Sequence, residues 1–158
     1  MKKHAILFLV FLFIGWSVPL PAPSHAMDAT EQLLLGNHVL TLQWLRNNNG
    51  IGKAKIFKKD GTIHIDGYQS ERYEGELNYM SVRGTLRVVG PKELEFTGQI
   101  VTRINYINSG IPHERNGTFQ LKARGARKYW RMQNMTQPDG EHQVTDYIDI
   151  FFEKFREN

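Results

Sequence analysis

LEFTGQIVTRINYI, residues Leu94–Ile107, is the stretch on which the fold turns. Its alternate positions separate by polarity. Leu94, Phe96, Ile100, Ile104 and Tyr106 fall on one side, and Glu95, Thr97, Gln99, Arg103 and Asn105 on the other. A strand points successive side chains to opposite faces, so the stretch predicts a long β-strand with one buried face. Gly98 stands on the apolar side near the middle. A glycine there marks a bend, a bulge or a close backbone approach. A long bent strand suits the centre of a curled sheet.

On the N-terminal side of this strand the chain reads as further strands. Gly52–Gln69 predicts a hairpin turning at Asp60-Gly61, a dipeptide that tolerates positive φ. That turn sets Ile56 against Ile65 on the buried side and Lys55 against Asp66 on the wet side. His38–Leu45 alternates with Leu40, Leu42 and Trp44 on one face, and Asn47–Gly50 follows as a turn. Tyr73–Tyr79 and Thr85–Val89 read as short strands separated by Arg83-Gly84. Asp28–Gly36 reads as a short N-terminal helix.

On the C-terminal side, Asn108–Gly117 predicts a long irregular loop, a candidate binding rim. Thr118–Ala123 is a strand with Phe119 and Leu121 inward. Arg127–Met135 and Val144–Phe155 form a last pair joined through Gln137–Gly140. Eight or nine short strands with turn signals between them predict an all-β antiparallel meander. Closing it into a small barrel removes its edges, and a β-sandwich is the alternative.

The first residues stand outside this fold. Lys2 and Lys3 precede the apolar run Ala5–Trp16, then Pro19, Pro21 and Pro23, then Ser24-His25-Ala26. This is the pattern of a secretory signal peptide over residues 1–26, cleaved after Ala26. The apolar run is too short for a membrane-crossing helix, which needs about 20 residues. The expected mature chain, residues 27–158, is one domain bound for the periplasm or the medium, with no stable membrane insertion. It carries no cysteine, so packing and strand pairing alone must hold it. Losing Lys2 and Lys3 reduces the formal charge of +4 to +2, which gives no nucleic-acid footprint.

Chemistry is harder to find. His38, His64, His113 and His142 show no ligand spacing, so no metal is expected. The chain has no HExxH, P-loop, GxGxxG or GxSxG motif and no cysteine nucleophile, so neither a cofactor nor an enzyme is implied. The densest polar-aromatic cluster lies on the C-terminal pair. Tyr129 and Arg131 share a face of one strand, and Tyr147 and Asp149 a face of the other. Two readings compete there. The four bind a polar or anionic ligand through the planar guanidinium fork. Alternatively, Arg131 is paired with Asp149 in a cross-strand ladder under tyrosine rings, which is ordinary sheet chemistry and the better supported reading. Arg103 on the central strand and Arg115 in the long loop complete the candidate set.

RKYWRMQ at Arg127–Gln133, DYIDIFF at Asp146–Phe152 and IVTRINYIN at Ile100–Asn108 resemble small secreted bacterial proteins of unknown function. The resemblance implies an exported one-domain β-protein and brings no activity or site residues. Three functions are open. The first is a non-catalytic periplasmic barrel that binds a small ligand in its lumen. The second is an envelope protein-interaction or inhibitor module that uses Tyr129, Tyr147 and Phe151 as anchors. The third and weakest is a hydrolase built on Asp146 or Asp149 with Glu114. Whether the C-terminal face meets a cavity or solvent separates the first two.

Overall fold

The computed structural model describes residues 23–45 and 51–154. Helix α1 (Pro23–Leu34) precedes β1 (Gly36–Leu42), β2 (Gly52–Lys59), β3 (Thr62–Tyr73), β4 (Glu76–Gly90), β5 (Glu93–Arg103), β6 (His113–Lys122), β7 (Tyr129–Met132), β8 (Thr136–Asp139), β9 (His142–Thr145) and β10 (Ile148–Lys154). Eight of the strands close into an antiparallel barrel in the order β1-β10-β7-β6-β5-β4-β3-β2, and β8 pairs with β9 in a separate hairpin. The barrel reading holds and the sandwich alternative falls. The Asn47–Gly50 turn and most of the expected leader lie outside the described residues. Pro23–Ala26 belong to α1. Among the described residues no helix is long and apolar enough to cross a membrane.

The β2–β3 hairpin takes the register that its turn dictates, with Ile56 opposite Ile65 and Lys55 opposite Asp66. Asp60 (φ 50°) and Gly61 (φ 79°) both occupy the left-handed region, the two-residue turn that matches strand twist. The Asp66 carboxylate is bonded by Arg83 from the other side, at 3.1 Å.

Four expectations need correction. Arg83-Gly84 is no break, because β4 runs unbroken from Glu76 to Gly90. The real turn is Glu74-Gly75, also with positive φ at both positions, so Tyr73 ends β3. The long loop is shorter than expected: after a 3₁₀ turn at Asn108–Gly110, β6 begins at His113. The last strand pair is interrupted by the β8–β9 hairpin, and β7 meets β10 only over Tyr129–Arg131. Finally, β5 stops at Arg103 and leaves Tyr106 51% exposed. The Asn105 N–H donates to Asn78 Oδ1 at 2.7 Å and Asn78 Nδ2 donates to Asn105 Oδ1 at 3.1 Å. This amide pair takes the chain out of the ladder before Tyr106 can point inward.

Gly98 explains how β4 and β5 curl. It stands opposite Gly84 on β4 and Gly117 on β6. A Cβ on Gly98 would overlap the Arg83 carbonyl and lie 2.7 Å from Gly84 Cα and 2.9 Å from Phe96 Cζ. The Phe96 ring covers this glycine patch from inside. The lumen is filled by the chain's own side chains, with Trp130, Phe96, Met80, Leu94, Ile100 and Leu121 among those fully buried. At one end α1 lies across the barrel mouth and buries Leu34 and Thr30. Its Glu31 is bonded by Lys58 at 2.7 Å.

Gly98→Ala is expected to destabilise by about 1–3 kcal/mol through overpacking. Gly90→Ala, whose nearest neighbours would be 3.7 and 3.9 Å away, is expected to stay within about 0.5 kcal/mol of wild type. Urea denaturation of both variants checks the contrast.

Candidate functional site

The C-terminal face points outward. β7 turns Trp130 and Met132 into the core, and β10 turns Ile148 and Ile150 with them. Tyr129 and Arg131 therefore lie on the outer wall, with Arg131 opposite Asp149 and Tyr129 opposite Phe151. Arg131 grips Asp149 with both arms of its fork, Nε to Oδ1 at 2.7 Å and Nη2 to Oδ2 at 2.6 Å. Its guanidinium lies 4.5 Å from the Tyr147 ring centre and 5.3 Å from that of Tyr129, and the Arg127 guanidinium lies 5.6 Å from the Tyr129 ring centre. The hydrogen bonds it donates to Asp149 hold the guanidinium above even its usual high basicity. The arrangement is a cation-aromatic stack with Arg131 already paired. Tyr147 is 47% exposed and Tyr129 and Phe151 are half-buried. All three meet solvent, not a lumen.

The remaining candidates sit elsewhere. Arg103 Nε donates to Gly110 O at 3.1 Å, Nη2 to Glu76 Oε2 at 2.9 Å, and Nη1 to Leu77 O. It staples the β3–β4 hairpin to the 3₁₀ turn. Arg115 is not on a loop rim. It points into the end of the barrel opposite α1 and donates to Asp146 Oδ2 at 2.8 Å. Asp146, fully buried, also accepts from Trp44 Nε1 (2.9 Å), Gln137 Nε2 (2.8 Å) and Thr102 Oγ1 (3.3 Å). Four donors from four separate segments thus meet on one carboxylate, which is how a buried charge is tolerated. Arg115 Nε has no partner among the described residues. Sequence reasoning missed this knot, although one signal existed. Extending the inward alternation of Phe119 and Leu121 backwards along β6 puts Arg115 on the same face.

His113, Glu114 and Arg115 alternate along β6, so they do not converge on one reacting centre. Burial, then the nearby Arg115, lowers the basicity of His113. Glu114 faces outward, where Asn116 and Gln99 donate to it at 2.8 and 2.6 Å and hold its carboxyl more acidic than usual. Among the described residues no group of acidic and histidine side chains is arranged to hold a metal ion.

A cleft of about 480 Å³ opens at the α1 end of the barrel, between Asp28 and Glu31 of α1, the β2–β3 turn and residues of β4 and β5 from both faces of the sheet. Ile63, Leu86 and Val88 supply its apolar part, and Thr85 and Thr97 its hydroxyls. Asp28, Glu31 and an Arg87–Glu95 ion pair at 2.8 Å supply its charge. No sequence pattern marks this site, because its walls come from distant segments.

A family model matches residues 23–152, from the start of α1 into β10. The chain belongs to the PM1083 family. A relative from Pasteurella multocida (strain Pm70), an uncharacterised protein, is 37% identical over 144 residues, which covers 91% of this chain and 89% of that protein. No solved structure matches the chain. In this PM1083-family member the matched region contains both the Asp146 knot and the Arg131 stack.

The two arginine–carboxylate pairs are expected to respond very differently to truncation. Asp146→Ala strands the Arg115 cation in the core and is expected to cost about 3–5 kcal/mol. Arg131→Ala leaves Asp149, itself 7% exposed beneath the stack, without its partner but open to water where the outer-wall guanidinium stood, and the expected cost is about 1–2 kcal/mol. Chemical denaturation ranks the two, and equal losses would contradict the assignment of a buried knot and an outer stack.

Proposed function

We propose that this protein is an exported bacterial barrel that binds a small amphipathic molecule in the cleft beside α1, not in its lumen. The observation that carries the reading is the contrast between a lumen occupied by Trp130, Phe96 and their neighbours and an open cleft of about 480 Å³ at the rim. Binding pockets of small molecules occupy a similar volume range and combine apolar walls with a few placed polar groups. Ile63, Leu86 and Val88 suit the apolar part of such a ligand. Asp28, Glu31 and the Thr85 and Thr97 hydroxyls suit a hydrogen-bond-donating or cationic head. Export is supported by the charged, apolar and small-residue order of residues 1–26.

A second reading rests on the outer wall. Tyr147, Tyr129 and Phe151 with Arg127 and Arg131 form an exposed aromatic-cationic face of the kind that anchors protein partners. In that reading the protein is an envelope interaction or inhibitor module.

One experiment weighs both. The protein, recovered gently from an envelope extract, is run in native mass spectrometry and again after denaturation. The cleft reading expects an excess mass on wild type that disappears in Thr85→Trp, which fills the cleft, and survives in Tyr147→Ala. Bare wild-type protein, or equal ligand retention in Thr85→Trp, would overturn it. Capture of an envelope protein by wild type but not by Tyr147→Ala would favour the outer face.

A further inference from the structure

The chain carries its cations unevenly. Residues 115–138 hold six of them and no carboxylate, while the whole chain has a formal charge of +4, so the remainder is net acidic. Three of the six are answered by carboxylates: Arg115 by Asp146 at 2.8 Å, Arg131 by Asp149 at 2.6 Å and Lys122 by Glu93 at 3.4 Å. The other three, Arg124, Arg127 and Lys128, form no ion pair among the described residues. Arg124 meets only the neutral Gln133 amide, at 3.5 Å, and Arg127 the Tyr129 ring.

These three cations sit on the turn between β6 and β7, where the Arg127 N–H donates to Arg124 O at 3.3 Å and Gly125 takes a left-handed φ of 59°. The β4–β5 turn packs beside it, because the Ala123 N–H donates to Lys92 O at 3.1 Å. That second turn adds the exposed cation Lys92 and two exposed apolar residues, Val89 (38%) and Pro91. The Lys92 N–H donates to Thr30 Oγ1 of α1 at 3.4 Å, so both turns belong to the α1 end of the barrel. Most carboxylates of this end are occupied or lie at the cleft. Lys122 holds Glu93, Lys58 holds Glu31 and Arg87 holds Glu95; Asp28 lines the cleft and Asp60 sits on the turn that borders it. Glu153 of β10 follows Phe152, whose N–H donates to Lys128 O at 2.8 Å, and sets one exposed carboxylate against four cations.

We infer that this end of the barrel docks on an anionic lipid surface, with Lys92, Arg124, Arg127 and Lys128 over the phosphates and Val89 and Pro91 at the headgroup level. Long cations on two adjacent turns suit a plane of negative charge, to which each adds its own attraction. The apolar tip selects lipid among anionic partners. Val89 and Pro91, set among cations, match the mixed polarity of the headgroup layer, where apolar side chains gain by leaving water. A nucleic-acid backbone or an acidic protein face uses the charge and leaves the tip wet. The contact is peripheral and electrostatic in origin, so it weakens as added salt shortens the screening length. It shares only Arg127 with the aromatic wall, and it does not depend on a ligand being bound in the cleft.

Vesicle flotation tests this, with protein recovered from the envelope extract and vesicles of phosphatidylcholine alone or mixed with phosphatidylglycerol. Wild type should partition onto the mixed vesicles well above the neutral ones, and the excess should shrink as sodium chloride is raised. Each cation near such a surface is worth about fivefold in partition, so Lys92→Gln should lose about fivefold and the combined Arg124→Gln, Arg127→Gln and Lys128→Gln change about a hundredfold. Arg72→Gln makes the same charge change at the far end of β3, beside Gly75, and should lose nothing. Val89→Ser should weaken binding and keep the salt response. Equal partition onto both vesicles, an excess indifferent to salt, or equal losses in Arg72→Gln and the triple variant would overturn the inference. Inorganic phosphate that displaces the protein better than chloride at matched ionic strength would also overturn it, by revealing a discrete anion site. A Val89→Ser variant that binds as wild type would overturn the choice of lipid. The vesicle comparison and the salt response are read on wild type, so they decide even where the triple variant does not fold.

Discussion

Everything in this barrel depends on the first strand finding the last. β1 and β10 form the closing seam, and the His38–Phe151 contact within it joins positions 113 residues apart. No disulfide helps, because the chain has no cysteine. The entropy of closing so long a loop is recovered only when the seam pairs and the interior packs at once. Local hairpins such as β2–β3 can form early, but they leave their apolar faces wet until the circle is complete.

Closure then fixes where chemistry can happen. Strands that curl tightly enough to bring Gly84 against Gly98 leave a lumen that Phe96, Trp130 and the aliphatic residues fill. The two ends are sealed by different means. One carries α1, seated through Leu34, Thr30 and the contact of His38 with the Leu34 carbonyl. The other carries a polar knot in which Trp44, Thr102, Arg115 and Gln137 meet on Asp146. A buried ion pair of this type contributes little net stability compared with an apolar replacement, yet breaking it is costly. It specifies how the barrel end and the β8–β9 hairpin fit together. An opening remains beside α1, and the aromatic wall faces solvent.

Parts of this were legible along the chain and parts were not. The β2–β3 register followed from Asp60-Gly61 and the alternation around it, because turn and pattern agreed over a short distance. The polarity of the C-terminal faces and the Arg131–Asp149 pairing could be stated as alternatives, since both strands alternate cleanly. Gly84 misled, because the same residue type serves turns and close strand approaches, and only its partner Gly98 on the next strand distinguishes them. Tyr106 misled for a related reason. Its position fits the inward period, but the amide pair of Asn78 and Asn105, 27 residues apart, ends the strand first.

The sequence by itself determined the elements: strand periodicity, the hairpin turns at Asp60-Gly61, the short helix and an all-β chain without cysteine. These rest on interactions between near neighbours, which spacing records. Only the tertiary structure decided which face of each strand became the lumen, that Arg115 and Asp146 would be buried together, and that a cleft would form against α1. Those outcomes depend on contacts between segments far apart in the chain, and they come into being only when the sheet closes.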